Sequence, residues 1–515
     1  MISRQKDNLF VLVKSLSKSE KRQFKLYAGR LGGNVDSKFI ALFNLLDKLK
    51  KYDEVAILKS DIVKKAQLSN LKAHLYKQLL ISLRLNPMHQ NIRLQVREQL
   101  DFATILYHKG LYKQSLKILD KAKNIAILNE EKNIAFEIVE LEKVIESQYI
   151  TRSLSTRADE LTEQAKTLSI QNTIASKLSN LSLQLYGVML KTGYVKNEEE
   201  YIEVTKYYND RMPKFELEEL GFREKLWLYK SNLWYSFLTQ DFLSCYKYAD
   251  KWVEMFYAEK SMIKLNPVFF LKGNHYLLES LFYTKYHSKF KESLSRFQEV
   301  IRLGELLPDE DNVKVLSFLY TYSNTLNLHF LEGTFKEGLQ LVDVILSGIK
   351  QFQNRIDAHH IMVLYYKIAS LYFGAGDNLK CIDYLDKIIS NKSLKMREDL
   401  MCFSRILSLV AHYEVGLDYH LEKQLVSTYK FLLKMDELHE VQKEMIKFLK
   451  NLGDIYPHQI KKEFIKLHAS LKKYEDDPFE RRAFLYLDVL SWLESKIENR
   501  PVDLIIQDKF KLLKR

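Results

Sequence analysis

The sequence predicts an all-α fold, organised as an α-solenoid of antiparallel helix hairpins with a helical N-terminal head and C-terminal capping helices. Only 16 Gly and 7 Pro occur in 515 residues, about 3% and 1.4% where roughly 7% and 5% are typical. A sheet-rich fold would need more turn residues. Apolar residues form 46% of the chain and aromatic residues 12%, which suffices for a large continuous core. The third observation is a turn pattern that recurs along the chain.

This pattern, here called the repeat frame, consists of an aromatic residue, a tight turn, a second aromatic residue and, three positions later, a small residue. The position of the second aromatic residue serves as the anchor, and Asn378 occupies it in one copy. A further copy has Lys285 at the first aromatic position. The copies comprise Tyr107, Gly110, Tyr112 and Ser115; Phe237, Asp241, Phe242 and Cys245; Lys285, Phe290 and Ser293; Phe330, Gly333, Phe335 and Gly338; and Phe373, Gly376, Asn378 and Cys381.

The anchors recur at a nearly fixed distance. Successive anchors at Tyr112, Phe242, Phe290, Phe335 and Asn378 are separated by 130, 48, 45 and 43 residues, and the first separation is close to three times 43. A fixed period of this size is typical of stacked helical repeats, in which each unit buries its apolar face only against its neighbours.

The small residue has a physical reason. Three positions past the anchor it lies one turn into the second helix of a hairpin, where a small side chain lets the two helix axes approach closely. Apolar residues nine positions before the anchor and seven positions after it complete the predicted seam. They are Ala103, Leu233, Leu281, Leu326 and Ala369 on the first helix, and Leu119, Phe297, Val342 and Leu385 on the second.

The repeat frame resembles the tetratricopeptide repeat (TPR). The clearest copies run over 103–116 and 369–382, with the family's small–aromatic–Gly–aromatic–small spacing, and the likeness covers about 100–395. The resemblance implies helix pairs stacked into a right-handed superhelix whose concave side binds a partner. The period of 43–48 exceeds the family's roughly 34 and indicates helices of roughly 17–20 residues. The terminal proline of each repeat is absent, and the family's Asn/Lys clamp for peptide carboxylates cannot be placed.

Spacing predicts further turns and the domain limits. Turns are expected near 151–156, at 191–194, at 416–419 and at 453–456. The predicted domains are a basic helical domain over 1–90, an array of about 8–9 hairpins with a period of 40–48 over 91–477, and capping helices over 478–515, including one at 481–498.

The basic charge lies at one end of the chain. Residues 1–100 carry 20 Lys and Arg against 8 Asp and Glu, a net charge of +12, whereas the other 415 residues carry 59 against 58. Ser17 and Glu20 form a capping-box signature that begins a helix. Further helices are predicted at about 37–51, 55–66 and 71–85, with a turn at Gln67–Asn70. The candidate residues for an anionic partner are Lys18, Lys21, Arg22, Lys25, Lys64, Lys65 and Lys72.

Three interpretations of the head stay open. The helices around Gln67–Asn70 have roughly the lengths of a helix-turn-helix, and a basic helix face could contact phosphates of DNA or RNA. An acidic protein surface would suit the same lysines. Alternatively, the helices simply cap the array, since a lysine-rich solvated face is common.

Catalytic signatures are not found in the sequence. It has no phosphate-binding loop, dinucleotide fingerprint, zinc-protease or nucleophile-elbow motif. Adjacent His359 and His360 point about 100° apart on a helix and do not suit one metal ion. The acidic runs at 198–200, 309–311 and 475–477 are expected in solvated loops. We therefore expect no enzyme activity, cofactor or metal.

Cysteine usage and hydropathy predict a cytoplasmic protein. Cys245, Cys381 and Cys402 are widely spaced and odd in number, which favours reduced, buried thiols. The N-terminal region has only five consecutive apolar residues, at 9–13, and no segment approaches the ~18 needed to span a bilayer. The leading hypothesis is a non-enzymatic scaffold that binds a protein or peptide. The alternative is a nucleic-acid-linked regulator whose head binds DNA or RNA while the array binds a protein or peptide.

Overall fold

The computed structural model confirms the all-α class. α-Helix accounts for 82% of the described residues, no strand occurs among them, and consecutive helices pack against one another. Within the same residues, no helix is both long enough and apolar enough to cross a bilayer. The described residues are 7–30, 34–86, 91–148, 156–352, 355–391, 398–416, 418–432, 440–451, 458–480, 484 and 488–513.

The chain divides into two compact units, Met1–Leu168 and Ser169–Arg515. The division falls within a helix of 36 residues, Arg157–Thr192. It coincides with neither of the boundaries expected near 90 and 477, which stay predictions. Each unit is described separately below.

The N-terminal unit begins with five helices around one core, in which the ring of Phe24 contacts Phe39 and Phe43 at centroid distances of 6.2 and 4.8 Å. The predicted capping box is confirmed: the Glu20 amide donates to Ser17 Oγ at 3.2 Å and the Ser17 amide donates to the Glu20 carboxylate at 2.6 Å. The helices are α1 (Asn8–Ser15), α2 (Lys18–Gly29), α3 (Asn34–Lys48), α4 (Glu54–Lys59), α5 (Lys65–Arg84), α6 (Ile92–His108), α7 (Tyr112–Leu128), α8 (Lys132–Gln148) and α9 (Arg157–Thr192), which continues into the C-terminal unit.

The turn predicted at Gln67–Asn70 is wrong. Helix α5 begins at Lys65 and continues without interruption to Arg84. Leu68 and Leu75 are both buried in the core of the first five helices, so packing fixes a helical register across this stretch. The polar residues that suggested a turn lie on the exposed side of α5. The described part of the head therefore has no helix-turn-helix at this position.

The C-terminal unit consists of consecutively packed helices. Eight helices of the two units have 17 residues, within the predicted length range. The helices are α10 (Glu198–Arg211), α11 (Phe222–Leu238), α12 (Phe242–Ala258), α13 (Ser261–Leu265), α14 (Pro267–Tyr283), α15 (His287–Leu303), α16 (Asp311–Glu332), α17 (Phe335–Leu339), α18 (Val342–Gln351), α19 (Ala358–Gly374), α20 (Asn378–Ile389), α21 (Glu398–Val415), α22 (Asp418–Leu432), α23 (Glu440–Asn451), α24 (Ile460–Lys472), α25 (Val489–Glu498) and α26 (Val502–Leu513).

One turn geometry recurs between packed helices. A residue with positive φ follows the end of the first helix, and the next residue donates its amide to the carbonyl five positions earlier at 2.8–3.0 Å. This pairing is the Schellman motif, and the second helix begins one residue later. The positive-φ residues are Gly110, Glu130, Gln240, Lys285, Gly333 and Gly376.

The turns confirm four anchors of the repeat frame and correct the fifth. Tyr112, Phe242, Phe335 and Asn378 are each the first residue of a second helix. In the remaining copy α15 begins at His287, so Phe290 lies three positions inside the helix. The predicted register of Phe290 and Ser293 is therefore wrong by three residues, because an aromatic residue one helical turn further along mimics the anchor. The turn at Glu130 was not predicted, since it has neither Gly nor an aromatic anchor.

The position three residues into each second helix is buried, as the frame requires. The Ser115 hydroxyl donates to the Ala103 carbonyl of the preceding helix at 2.8 Å. A Cβ at Gly338 would lie 2.8 Å from Leu371 and 3.2 Å from His329. The occupants are Ser115, Ala135, Cys245, Phe290, Gly338 and Cys381, and Phe290 is the one large side chain among these six.

Two anchor aromatics pack on the next first helix. The Phe242 ring contacts Tyr283, the last residue of α14, at 4.9 Å. The Phe335 ring lies against the backbone of Gly374, the last residue of α19, where a Cβ would approach the ring to 2.5 Å. The anchor therefore joins consecutive helix pairs, in addition to starting its own helix.

The other predicted turns have mixed outcomes. Gly193 has φ +77° between α9 and α10, and Gly416 has φ +72° at the end of α21, so turns exist there. The turn at 453–456 and nearly all of that at 151–156 lie outside the described residues. The run Glu198–Glu200, expected in a loop, forms the first turn of α10, where Asn197 caps the helix and the helix dipole favours acidic side chains.

Helix α26 packs on a distant part of the chain. The Gln507 amide donates to the Gly333 carbonyl at 3.0 Å, and the Phe510 ring contacts the His287 ring at 4.5 Å. Its predecessor α25 packs on α24. The residues expected to cap the array thus include a helix that covers a repeat turn 174 positions earlier. Of the capping helix predicted at 481–498, the structure describes α25 and Phe484.

Alanine substitutions of two glycines should have opposite effects on stability. Gly376 has φ +85° and open space where an added Cβ would lie, so Gly376→Ala should destabilise the fold by about 1–2 kcal/mol through left-handed strain alone. Gly187 lies exposed inside α9 with ordinary φ, so Gly187→Ala should stabilise by roughly 0.5–1 kcal/mol. Urea denaturation of the full chain measures both. Shifts of the same sign would contradict the assigned turn.

Candidate functional site

Two of the seven predicted anion-binding residues have partners within the fold. Lys21 forms an ion pair with Asp47 at 2.7 Å. Lys72 forms an ion pair with Asp7 and donates to the Tyr52 hydroxyl at 3.0 Å. Burial opposes the charge of Lys72, but the hydrogen bonds to Asp7 and Tyr52 raise its pKa. These two lysines therefore connect α2 with α3, and α5 with the residue that caps α1.

The other five predicted residues are exposed. Lys18, Arg22 and Lys25 follow one another at helical spacing on α2, and the ammonium of Lys25 lies 5.9 Å from the Phe43 ring centroid. Lys64 and Lys65 lie at the start of α5. The described residues place no carboxylate within ion-pair distance of these five groups. They remain the candidate contacts of the head.

A second surface, which the sequence did not predict, lies on the helices that precede the repeat turns. Residues at spacings of three, four and seven share one face of a helix, and on α11, α14, α16 and α19 one such face has rings together with polar and basic groups. We call this set the first-helix row. It consists of Tyr186 of α9 with Trp227, Lys230, Trp234, Phe269, Lys272, His275, Tyr276, Glu279, Tyr320, Asn324, Asn327 and Lys367.

Ring contacts connect the first part of the row from helix to helix. Tyr186 contacts Trp234 at 4.8 Å, and Trp234 contacts Tyr276 at 5.6 Å. Trp227 and Phe269 meet edge to face at 5.4 Å. Aromatic pairs of this kind contribute about 0.5–1.5 kcal/mol beyond the area they bury. The first part of the row is therefore a connected aromatic cluster, in which Trp234 is buried and Tyr186 is exposed.

His275 lies at the centre of the row. Its ring stacks on Tyr320 at 4.3 Å with the planes 9° apart, and its Nδ1 is 3.3 Å from Asn324 Nδ2. Glu279 approaches Nε2 at 3.8 Å. Burial lowers the pKa of His275 to about 4, with a smaller opposing effect of Glu279 and small contributions from Lys367, His360 and Lys272. The imidazole is therefore neutral at pH 7.

Lys367 ends the row on α19. Its ammonium donates to the Ser323 carbonyl at 3.2 Å and to Asn327 Oδ1 at 2.5 Å. Burial lowers its pKa to about 8, although Glu279 opposes this. The row therefore combines a neutral imidazole, amides, aromatic rings and lysines.

A signal for the row is present in the sequence. Lys367 is the one Lys, Arg, Asp or Glu of α19, and Lys272 is the one Lys or Arg of α14. A single lysine within an apolar helix indicates a place where the buried face meets solvent or a ligand. Helical periodicity alone could not show this, because it does not distinguish a groove from a contact between repeats.

The residues singled out for other chemistry have structural contacts. The His360 amide and Nδ1 both contact the Asp357 carboxylate, at 2.9 and 2.6 Å. Cys245, Cys381 and Cys402 are buried and form no disulfide, and burial raises the pKa of the Cys381 thiol. Within the described residues no three His, Cys, Asp or Glu side chains are grouped to hold a metal ion.

Comparison with known proteins returns no match: no family model, no curated protein and no solved structure is significantly similar to this chain. The likeness to the tetratricopeptide repeat thus rests on the repeat frame. The class that the structure itself defines is an all-helical protein of consecutively packed helices.

The neutral state of His275 should make stability depend on pH. The unfolded chain binds a proton to this residue near pH 6.5 and the folded chain only near pH 4, so stability is lost as the pH falls between these values. His275→Gln should reduce that dependence by up to ~1.4 kcal/mol per pH unit. Urea denaturation from pH 7 to 4.5 measures it. The exposed His108→Gln variant is the control, and an unchanged dependence in His275→Gln would contradict the assignment.

Proposed function

We propose that the protein is a non-enzymatic interaction scaffold, in which a TPR-like superhelix binds a protein or peptide segment. The observation that carries this proposal is the first-helix row. It runs across α11, α14, α16 and α19, where the half-buried Trp227, Lys230, Phe269 and Lys272 lie beside buried rings and amides of the same row. Rigid aromatic groups with a few polar groups are typical of surfaces that bind extended segments.

The proposal includes an arrangement of the helices as antiparallel hairpins. Three residues separate α6 from α7, α11 from α12, and α19 from α20, while each pair packs closely. So short a connection between packed neighbours suits helices that run in opposite directions. Stacking such pairs in sequence order would place the first helices side by side. The row would then line one side of an α-solenoid.

Photocrosslinking can test the scaffold proposal. A photoreactive phenylalanine replaces Tyr186, which is 39% exposed at the end of the row, or Tyr286, which is 45% exposed at a repeat turn. Both changes exchange one exposed aromatic ring for another, so the two variants are matched. In a cell extract the probe at Tyr186 should capture one protein reproducibly, at several times the yield of the probe at Tyr286. No captured protein, or equal capture from both positions, would argue against the scaffold.

A second proposal concerns the head. The five exposed basic residues, together with the net charge of +12 over residues 1–100, favour binding of an anionic polymer such as DNA or RNA. An acidic protein surface is the competing ligand, and plain capping of the array is the alternative role. The correction to α5 removes the helix-turn-helix from this proposal and leaves contacts to the phosphate backbone.

Charge reversal on α2 tests the head. Lys18→Glu, Arg22→Glu and Lys25→Glu together should weaken binding to duplex DNA or structured RNA at least tenfold. They should also reduce the salt slope by about 3, since each phosphate contact contributes about 0.9. The matched control reverses Lys113, Lys117 and Lys121, three exposed lysines of α7. Equal effects of the two triple variants, or binding that does not depend on salt, would rule out a specific head site.

A further inference from the structure

Two half-buried lysines of the first-helix row, Lys230 and Lys272, lie on α11 and α14, two helices that a ring contact joins. The ammonium of Lys230 on α11 is 4.6 Å from the ring centroid of Trp227 and 5.5 Å from that of Phe269. Lys272 is on α14, three residues from Phe269, and the Trp227–Phe269 contact joins the two helices. Burial, with a smaller contribution from the charge of Lys272, lowers the pKa of Lys230 to about 8. Lys230 is therefore a shielded cation, held against two rings, whose charged form the charge of Lys272 further disfavours.

This pair has no matching acid in the described residues. No Asp or Glu oxygen there lies within 4.0 Å of either ammonium group. Some other shielded cations of the chain have an acidic partner: Lys123 contacts Glu142 at 2.6 Å, and Lys496 forms an ion pair with Glu414. Half-buried positive charges without an acidic partner oppose folding. Such an arrangement indicates an external anion that completes the charge balance.

The surroundings favour carboxylates over a polyanion. Residues 101–515 have 59 Lys and Arg against 58 Asp and Glu, so this region lacks the charge excess that nucleic-acid binding uses. The lysines are flanked by Trp227 and Phe269, which can bind the apolar parts of a peptide. Two lysines can neutralise one or two side-chain carboxylates.

We propose that Lys230 and Lys272 form a binding site for the side-chain carboxylates of an acidic peptide segment, with neighbouring apolar residues of that segment lying on Trp227 and Phe269. The inference rests on the proposed scaffold function and gives the chemistry of its partner. A bound carboxylate would supply negative charge to ammonium groups that have no acidic partner among the described residues.

Fluorescence of the full chain provides the test, because Trp227 is one of four Trp residues and contacts Lys230. Titration with a hexaglutamate peptide at low salt should change the emission and saturate. The double variant Lys230→Gln with Lys272→Gln should bind at least tenfold more weakly. The matched variant Lys247→Gln with Lys251→Gln, on the exposed side of α12, should bind like the unaltered chain, and Lys230→Arg with Lys272→Arg should retain binding.

Folding is checked separately. Circular dichroism should show unchanged helicity, and the thermal midpoint of Lys230→Gln with Lys272→Gln should equal or exceed that of the unaltered chain, because unpaired charge is removed. A lower midpoint would overturn the view that the two charges oppose folding. The variant Lys230→Arg with Lys272→Arg keeps both charges and then tests whether hexaglutamate binding depends on charge at these positions. Loss of hexaglutamate binding in this variant would overturn the site.

Three other outcomes would overturn the proposal. The first is hexaglutamate binding that is unaffected in the double glutamine variant. The second is a fluorescence change that saturates with inorganic phosphate but does not occur with hexaglutamate. The third is a fluorescence change that saturates with a single-stranded oligonucleotide but does not occur with hexaglutamate. The two proposals can fail separately. If the probe at Tyr186 still captures a protein in the double glutamine variant, and the unaltered chain does not bind hexaglutamate, this site is rejected and the scaffold function is retained.

Discussion

The turn between the first and second helix of each pair is the constraint on which the rest of the structure depends. A residue with positive φ ends the first helix, and the following amide bonds to the carbonyl five positions back. This geometry fixes where the second helix begins, and therefore which of its residues faces the first helix. The buried third position and, at Phe242 and Phe335, the contact with the next first helix both follow from that register.

The repeat frame could be predicted because four turns combine local residue types with a fixed spacing. Its register failed at Lys285, which adopts φ +55° although lysine gives no sign of left-handed backbone. Surrounding contacts hold such a residue in place, and sequence does not record them. In the head, Ser69 and Asn70 suggested a turn, but α5 is continuous across them because Leu68 and Leu75 are buried on one face of the helix. Tertiary packing thus overrides local preference in both cases.

The candidate surfaces differ in how far the sequence could reveal them. Charge asymmetry identified the basic head, yet only the fold shows that Lys21 and Lys72 neutralise Asp47 and Asp7. The first-helix row was not predicted, because it combines residues up to 181 positions apart, from Tyr186 to Lys367. Periodicity indicates that a face is buried but does not name its neighbour. The one local signal of the row was a single lysine inside an apolar helix, as at Lys272 and Lys367. This signal becomes informative when the residues that contact the lysine are known.

The contact of α26 with the Gly333 turn changes how the C-terminal unit would fold. In a purely linear stack each helix pair gains its contacts from sequence neighbours, so folding can proceed from one end as the chain is synthesised. Here the groups joined by the Gln507–Gly333 hydrogen bond are 174 residues apart, and closing so long a loop slows the step that depends on it. The surface around Gly333 stays uncovered until residues 502–513 have been synthesised.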